Sequence, residues 1–152
     1  MAKKRQAYSL TELIVVVAFI GIFAAIAVPR LNFALISKNK AETTARKIVT
    51  DLRRTRRMAI SDAANNDDGY ELNMTGGSPY TGYEIENSDT DEIVDSHTFD
   101  SAITCTGDSK FRFEPLGNLK DAGHKNFTVS AEGKTFTITV IRATGMIKCT
   151  EN

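Results

Sequence analysis

The chain is poor in several residues on which common protein classes depend. Its 152 residues include no tryptophan, two cysteines and two histidines, and Lys plus Arg balance Asp plus Glu at 19 each. His97 and His124 do not lie at metal-ligand spacing from Cys105 and Cys149, so a structural zinc site is excluded. Glycine-rich nucleotide-binding motifs and the G-x-S-x-G of serine hydrolases are absent as well. We therefore predict no metal, no cofactor and no enzymatic activity.

An acidic run in the second half of the chain is the remaining candidate for a cation site. It consists of Asp89, Asp91, Glu92 and Asp95. Clustered carboxylates suit calcium, but the spacing fits no EF-hand loop. We interpret the run as a solvated loop, which is the more frequent role of such a charge cluster.

The balanced net charge hides an uneven distribution. Residues 1–7 carry +3, residues 38–57 carry +6, and residues 58–152 carry −9, from seven Lys/Arg against sixteen Asp/Glu. The sequence thus predicts a basic stalk and an acidic head.

A long apolar run near the N-terminus organises the rest of the chain. From Leu13 to Val28 the sequence holds sixteen consecutive apolar or glycine residues, and Lys3-Lys4-Arg5 precedes them. A helix over 8–28 would be roughly 31 Å long, close to the thickness of a bilayer's hydrocarbon core. The basic cluster predicts a cytoplasmic N-terminus. Glu12 lies among the apolar residues, and a charge at mid-bilayer costs about 2.5–3.5 kcal/mol, so we expect a positive partner for it.

Three interpretations of this run compete. A secretory signal peptide has a shorter apolar stretch followed by a polar cleavage region, whereas this run continues directly into Pro29-Arg30. A plain signal anchor explains the length and the basic flank but not Glu12. The third interpretation is a short leader that is cleaved off, followed by an apolar helix that serves in assembly.

The residues that favour the third interpretation occur in a fixed order. A basic leader ends at Ala7, an aromatic residue follows at Tyr8, Glu12 is the fifth residue from there, and Pro29 closes the apolar helix. This pattern resembles the N-terminal signal of type IV pilins and type II secretion pseudopilins, although the family usually has glycine before the cut and phenylalanine after it. The resemblance implies cleavage between Ala7 and Tyr8 by a prepilin peptidase, methylation of the Tyr8 amine, and pairing of that amine with Glu12 during filament assembly.

The pattern after Pro29 predicts that the helix continues. Apolar residues recur on one face of a 3.6-residue period up to about residue 63, and the cluster at residues 65–69 has strong turn chemistry. The residues predicted to face the core are Ala41, Ala45, Ile48, Val49, Leu52, Ala59 and Ile60. We therefore divide the chain into a leader (1–7), a transmembrane or filament-core helix (8–29), an amphipathic helix (30–63) and a head (64–152), with one long helix over about 8–63.

The remainder of the chain predicts short strands separated by Gly, Asn, Asp and Ser. The predicted strands are Tyr70–Met74, Tyr80–Glu86, Ile93–Phe99, Ala102–Cys105, Lys110–Glu114, Asn126–Ala131, Lys134–Arg142 and Gly145–Cys149. The sixth and seventh flank Glu132-Gly133, a two-residue hairpin turn. The predicted fold class is α+β and pilin-like: a long helix packed on two antiparallel sheets.

Three segments of the head make the resemblance more specific. Residues 45–63, the F-x-F-x-P-x-G of Phe111–Gly117, and Thr144-Gly145-Met146-Ile147 are similar to the GspH/FimT group of minor pseudopilins and minor pilins. This resemblance implies a structural subunit of a type II secretion pseudopilus. The implied location is the bacterial inner membrane, in a single pass with the head in the periplasm, and then a filament. The implied partners are other pilins, the prepilin peptidase, the assembly platform and membrane lipid.

The two cysteines and a basic cluster complete the set of candidate sites. A periplasmic head would lie in an oxidising compartment, which favours a disulfide between Cys105 and Cys149 over two buried thiols. The alternative function is a minor pilin of a pilus or DNA-uptake machine that binds DNA through a basic patch. The predicted patch consists of Lys47, Arg53, Arg54, Arg56 and Arg57. These side chains would otherwise face acidic head residues, lipid head groups or partner pilins.

Overall fold

The computed structural model describes residues 9–27 and 33–152. Two helices lie in the region of the predicted long helix: α1, Leu10–Ala27, and α2, Phe33–Ser61. Residues 28–32, which include Pro29, lie outside the described residues, as do the predicted cleavage residues Ala7 and Tyr8. The chain divides into an N-terminal unit that contains α1 and a second unit, Ala34–Asn152. No helix within 9–27 and 33–152 is both long and apolar enough to cross a membrane.

The head contains eight strands in two antiparallel sheets. They are β1 (Tyr70–Thr75), β2 (Gly82–Asn87), β3 (Ile93–Thr98), β4 (Thr104–Gly107), β5 (Lys110–Phe113), β6 (Lys125–Ala131), β7 (Lys134–Ile141) and β8 (Met146–Glu151). The first sheet has the order β3-β2-β1-β5 and the second β4-β6-β7-β8. The predicted α+β class, with a long N-terminal helix and an antiparallel head, is confirmed.

Strand alternation explains why these segments form sheets around one core. Along β7 the residues at 136, 138 and 140 are buried while their neighbours are half-buried, as expected when one face of a sheet packs inward. In the β6–β7 turn, Glu132 and Gly133 both have positive φ, at 49° and 77°. Two successive positive φ values define the type I′ turn that suits the twist of a two-residue hairpin.

The apolar face of α2 packs into the same core as both sheets. Ala41, Ala45, Ile48 and Leu52 have no exposed surface and belong to the cluster that contains the strand residues. Ile60, predicted to join them, remains 43% exposed, so that prediction is wrong. The position of Ile60 explains the difference, because its Cδ1 lies beside the turn at Gly117 on the flank of the helix.

Candidate functional sites

α1 is apolar on all sides, and none of its side chains from Leu10 to Ile26 is buried. Every described side chain from Leu10 to Ile26 is exposed in the isolated chain, including Ile14, Phe19 and Phe23. A helix that is apolar all round is normally buried, either in lipid or among other helices. In the isolated chain, α1 therefore presents a large exposed apolar surface.

Glu12 is the one acidic residue in the first turn of α1. Ser9 precedes the helix, and its main-chain carbonyl accepts a hydrogen bond from the Leu13 N–H at 3.1 Å. Ser9 is thus the N-cap residue and Glu12 the third helical residue, which is the spacing of a capping box, where Glu or Gln reaches back to the N-cap N–H. A carboxylate at this end also interacts favourably with the helix dipole. Glu12 therefore also interacts favourably with its own helix, besides the pairing that the sequence suggests.

The predicted basic patch is divided by the fold. Lys47 forms an ion pair with Asp51 at 3.1 Å, and Arg54 forms one with Asp95 at 2.6 Å. The Arg54 guanidinium holds the pKa of the Asp95 carboxyl below its usual value. These two basic side chains are therefore neutralised by acidic groups of the protein itself.

Arg56 has a different role from the other members of the patch. Its Nε donates a hydrogen bond of 2.8 Å to the main-chain carbonyl of Gly117. A Cβ atom added at Gly145 would lie 2.7 Å from that Nε and 1.9 Å from the Gly117 oxygen. The turns at Gly117 and Gly145 thus approach each other closely around the Arg56 side chain. Both glycines have a positive φ, which glycine adopts without strain.

Arg53 and Arg57 are the two patch members left unpaired. Both are exposed, and within the described part of the chain neither guanidinium has an ion pair or side-chain hydrogen bond. They line two adjoining depressions between α2 and β8, of about 760 and about 730 Å³. We call this surface the α2–β8 groove. The sequence contained a signal for it, since Arg46, Thr50, Arg53 and Arg57 recur at helical spacing on one stripe of α2.

A buried polar pair lies on the opposite flank of α2. Tyr83 and Asp51 are almost fully buried, and the Tyr83 hydroxyl donates a hydrogen bond to the Asp51 carboxylate. Burial, together with the adjacent Asp51 charge, raises the pKa of Tyr83. Lys47 also donates to Asp51, so the buried carboxylate has two donors. Sequence patterns do not reveal this pairing, because the two residues lie in different elements.

The cysteines do not form the predicted disulfide. Both are free, with Cys105 buried and Cys149 exposed. Cys105 lies in β4 and Cys149 in β8, which are opposite edges of the second sheet. Three strand spacings amount to roughly 14 Å, whereas a disulfide needs Cα atoms within about 7 Å. The disulfide prediction is therefore wrong, because strand order and not distance along the chain determines which residues meet.

Among the described residues, no three His, Cys, Asp or Glu side chains are placed to hold a metal ion. Asp95, the last residue of the acidic run, lies in β3 and pairs with Arg54. His97 packs against the ring of Tyr83 with centroids 5.5 Å apart, and burial lowers its pKa. His124 accepts a hydrogen bond from the Arg142 N–H at 3.1 Å.

The fold resembles that of solved minor pilins. Two crystal structures of the type IV minor pilin FimU from Pseudomonas aeruginosa (strain PAO1) match with TM-scores of 0.61 and 0.59, each at 14% sequence identity. The first match covers 74% of this chain and 89% of FimU, and the second covers 72% and 91%. No protein-family model matches the sequence, and no curated protein matches it. The similarity establishes a pilin-like fold.

Proposed function

We propose that this protein is a minor subunit of a type IV pilin-like filament, assembled through α1. The observation that carries the proposal is the exposed surface of α1, which is apolar on all sides. Such a helix needs an apolar environment on every side, and a bundle of like helices in a filament core provides one. The fold similarity to FimU supports the proposal, because FimU is a type IV minor pilin.

We further propose that the unassembled subunit waits in the bacterial inner membrane with its head in the periplasm. The basic leader favours this orientation, and the prepilin-like residues Ala7, Tyr8 and Glu12 support peptidase cleavage after Ala7 and methylation of Tyr8. Transfer from lipid into a filament exchanges one apolar environment for another. Pairing of Glu12 with the Tyr8 amine of a neighbouring subunit, or with its own, then determines the register of the helices, because attraction is strong in a low-dielectric bundle. Pro29 would allow the helix to bend where it leaves the bundle.

The filament is either a type II secretion pseudopilus or a type IV pilus. The phenotype of a gene deletion distinguishes between these two functions. Loss of protein export with normal surface pili supports the pseudopilus. Loss of pili with normal export supports the pilus. DNA binding is not part of the proposed function, because three residues of the predicted patch are engaged by other groups of the same chain: Lys47 by Asp51, Arg54 by Asp95 and Arg56 by Gly117.

Variants of Glu12 test the assembly mechanism. The measurement is the ratio of subunit in sheared filaments to subunit in the inner membrane, with intact mass to locate the N-terminus. Glu12→Gln keeps the shape of the side chain and a hydrogen-bonding group but removes the charge, so we expect normal processing and a lower filament ratio. Glu12→Asp, which keeps the charge, should assemble better than Glu12→Gln.

Thr11→Val is the matched control, since it removes a polar group from the same turn without changing charge. Assembly of Glu12→Gln at the parent level would contradict charge pairing and assign Glu12 to helix capping alone. A mature chain that begins at Met1, or near Ala27, would contradict the prepilin interpretation itself.

A further inference from the structure

The α2–β8 groove has a definite direction and two unlike walls. One depression is lined by α2 residues from Glu42 to Arg53 and by the last residues of β8. The other is lined by α2 residues from Thr50 to Arg57 and by the first residues of β8. The groove therefore runs along α2 with β8 antiparallel to it. One wall is the side of a helix, and the other is the edge of a sheet.

β8 is an edge strand whose outer main-chain groups have no partner strand. It pairs with β7 alone in the second sheet. The Asn152 N–H donates to the Thr135 carbonyl at 2.9 Å, which makes this a hydrogen-bonded pair at the end of the ladder. Hydrogen-bonded pairs alternate along an antiparallel ladder. Thr150 and Lys148 therefore direct their main-chain groups towards β7.

The residues between them direct their main-chain groups the other way. By the same alternation, Ile147, Cys149 and Glu151 direct their N–H and C=O groups outward from the sheet. None of the three has a main-chain hydrogen bond to another described segment. Free groups of this kind form a template on which an extended chain adds as a further strand.

The charge of the groove favours an acidic occupant. Its acidic side chains are already neutralised: Glu42 pairs with Arg46 and Lys134, at 2.8 and 3.3 Å, and Glu151 pairs with Lys134 at 3.2 Å. These contacts also lower the pKa of Glu42. Arg53 and Arg57 on the helix wall have no such partner among the described residues. Two unpaired guanidinium groups thus lie opposite three unpaired main-chain sites.

We propose that the α2–β8 groove binds an extended acidic segment of another protein chain, which adds to β8 as a strand and directs its carboxylates to Arg53 and Arg57. Along a strand, alternate side chains lie on one face about 6.8 Å apart, and residues four apart on a helix lie about 6 Å apart. Carboxylates at alternate positions of the segment therefore match Arg53 and Arg57. This binding does not depend on filament assembly.

A peptide fits the groove better than a nucleic acid does. Strand addition uses the free groups of Ile147, Cys149 and Glu151, which a phosphate backbone does not pair with in this regular way. Lys47 and Arg54, which would widen the patch for phosphates, face Asp51 and Asp95 on the other flank of α2.

The test measures binding of fluorescent probes to the full chain in a neutral detergent. The first probe is a peptide of about eight residues in which glutamate alternates with threonine, within the usual length of a strand. A second probe has the same side chains but N-methylated main-chain amides, and a third is a single-stranded oligonucleotide. We expect only the first peptide to bind well, and its affinity to fall with added salt.

Paired variants identify the site. Arg53→Gln with Arg57→Gln should weaken peptide binding at least about tenfold, since two charge-assisted hydrogen bonds are lost. Lys47→Gln with Arg54→Gln removes the same charge on the other flank and should leave binding within about twofold. Equal losses in the two double variants would overturn the proposal, as would undiminished binding of the N-methylated peptide. Tighter, Arg53- and Arg57-dependent binding of the oligonucleotide would also overturn it and assign the groove to nucleic acid.

Discussion

The Nε of Arg56 donates its hydrogen bond to the carbonyl of Gly117, and Gly145 closes against the same side chain. Three separate segments of the chain, one in α2 and two at glycine turns, therefore meet at one point. The contact of Arg56 with Gly117 and Gly145 is a structural joint between α2 and the two turns.

Replacing Arg56 should weaken this joint. Arg56→Lys keeps the charge but loses the planar Nε–H, so we expect the free energy of unfolding to fall by about 1.5–3 kcal/mol, the range for a hydrogen bond to a charged donor. Arg57→Lys is the matched control, because Arg57 is exposed one residue away, and should change stability by less than about 0.5 kcal/mol. Urea denaturation measures the free energy of unfolding of both variants. Equal losses in the two would show that the Arg56–Gly117 hydrogen bond does not stabilise the fold.

Prediction from sequence succeeded where the signal is local. All eight strands occur within about two residues of their predicted bounds, because alternating β-branched residues and turn chemistry act within each segment. The strand order is not local, so the sequence did not reveal that Cys105 and Cys149 lie on opposite edges. The helical spacing of Arg53 and Arg57 is local and places them on one stripe of α2. The pairing of Arg54 with Asp95 of β3 is not local, so the sequence did not reveal it.

The Tyr83–Asp51 pair is a second determinant of stability. Tyr83→Phe removes one of the two donors to a buried carboxylate, and we expect a loss of about 1–3 kcal/mol in the free energy of unfolding. Tyr80→Phe is the control, because the Tyr80 hydroxyl donates to the Gly107 carbonyl near the surface, where water replaces it. If the two variants unfold at the same urea concentration, Tyr83 does not stabilise Asp51.

The thiols should behave as two independent groups. Reducing agent is expected to leave the melting temperature of the head unchanged, because no disulfide is present. Alkylation of the native protein should modify Cys149 and spare Cys105, whose burial excludes the reagent and raises the thiol pKa to about 12. Mass spectrometry before and after unfolding counts the modified thiols. A melting shift on reduction would contradict the strand order of the second sheet.

Stability should decrease as the pH falls below neutrality, and His97 should account for part of the change. Burial and the nearby Lys47 charge lower the pKa of His97 below its ordinary value of 6.5. The unfolded chain therefore takes up a proton first as the pH falls through 6.5, and stability is lost until the folded-state pKa is reached. His97→Phe keeps the packing against Tyr83 and Phe99 and should flatten the dependence between about pH 7 and pH 5.

The comparison variant is His124→Gln, which removes the other histidine of the chain. Its urea midpoints are measured at the same pH values as those of His97→Phe. A second loss is expected at lower pH, because Arg54 lowers the pKa of Asp95 below 3.8; that contribution is present above 3.8 and lost as the pH falls through the folded-state pKa. If the stability of His97→Phe falls with pH as steeply as that of the parent, other titrating groups cause the whole decrease.

The edge position of β8 has a consequence for the exchange of its amide protons with solvent. Lys148 and Thr150 donate their amides to β7, whereas Ile147, Cys149 and Glu151 do not. Exchange along β8 should therefore alternate between slow and fast at successive residues, while β7, bonded on both sides, is protected throughout. An added strand would engage the fast amides and turn the alternating pattern into continuous protection.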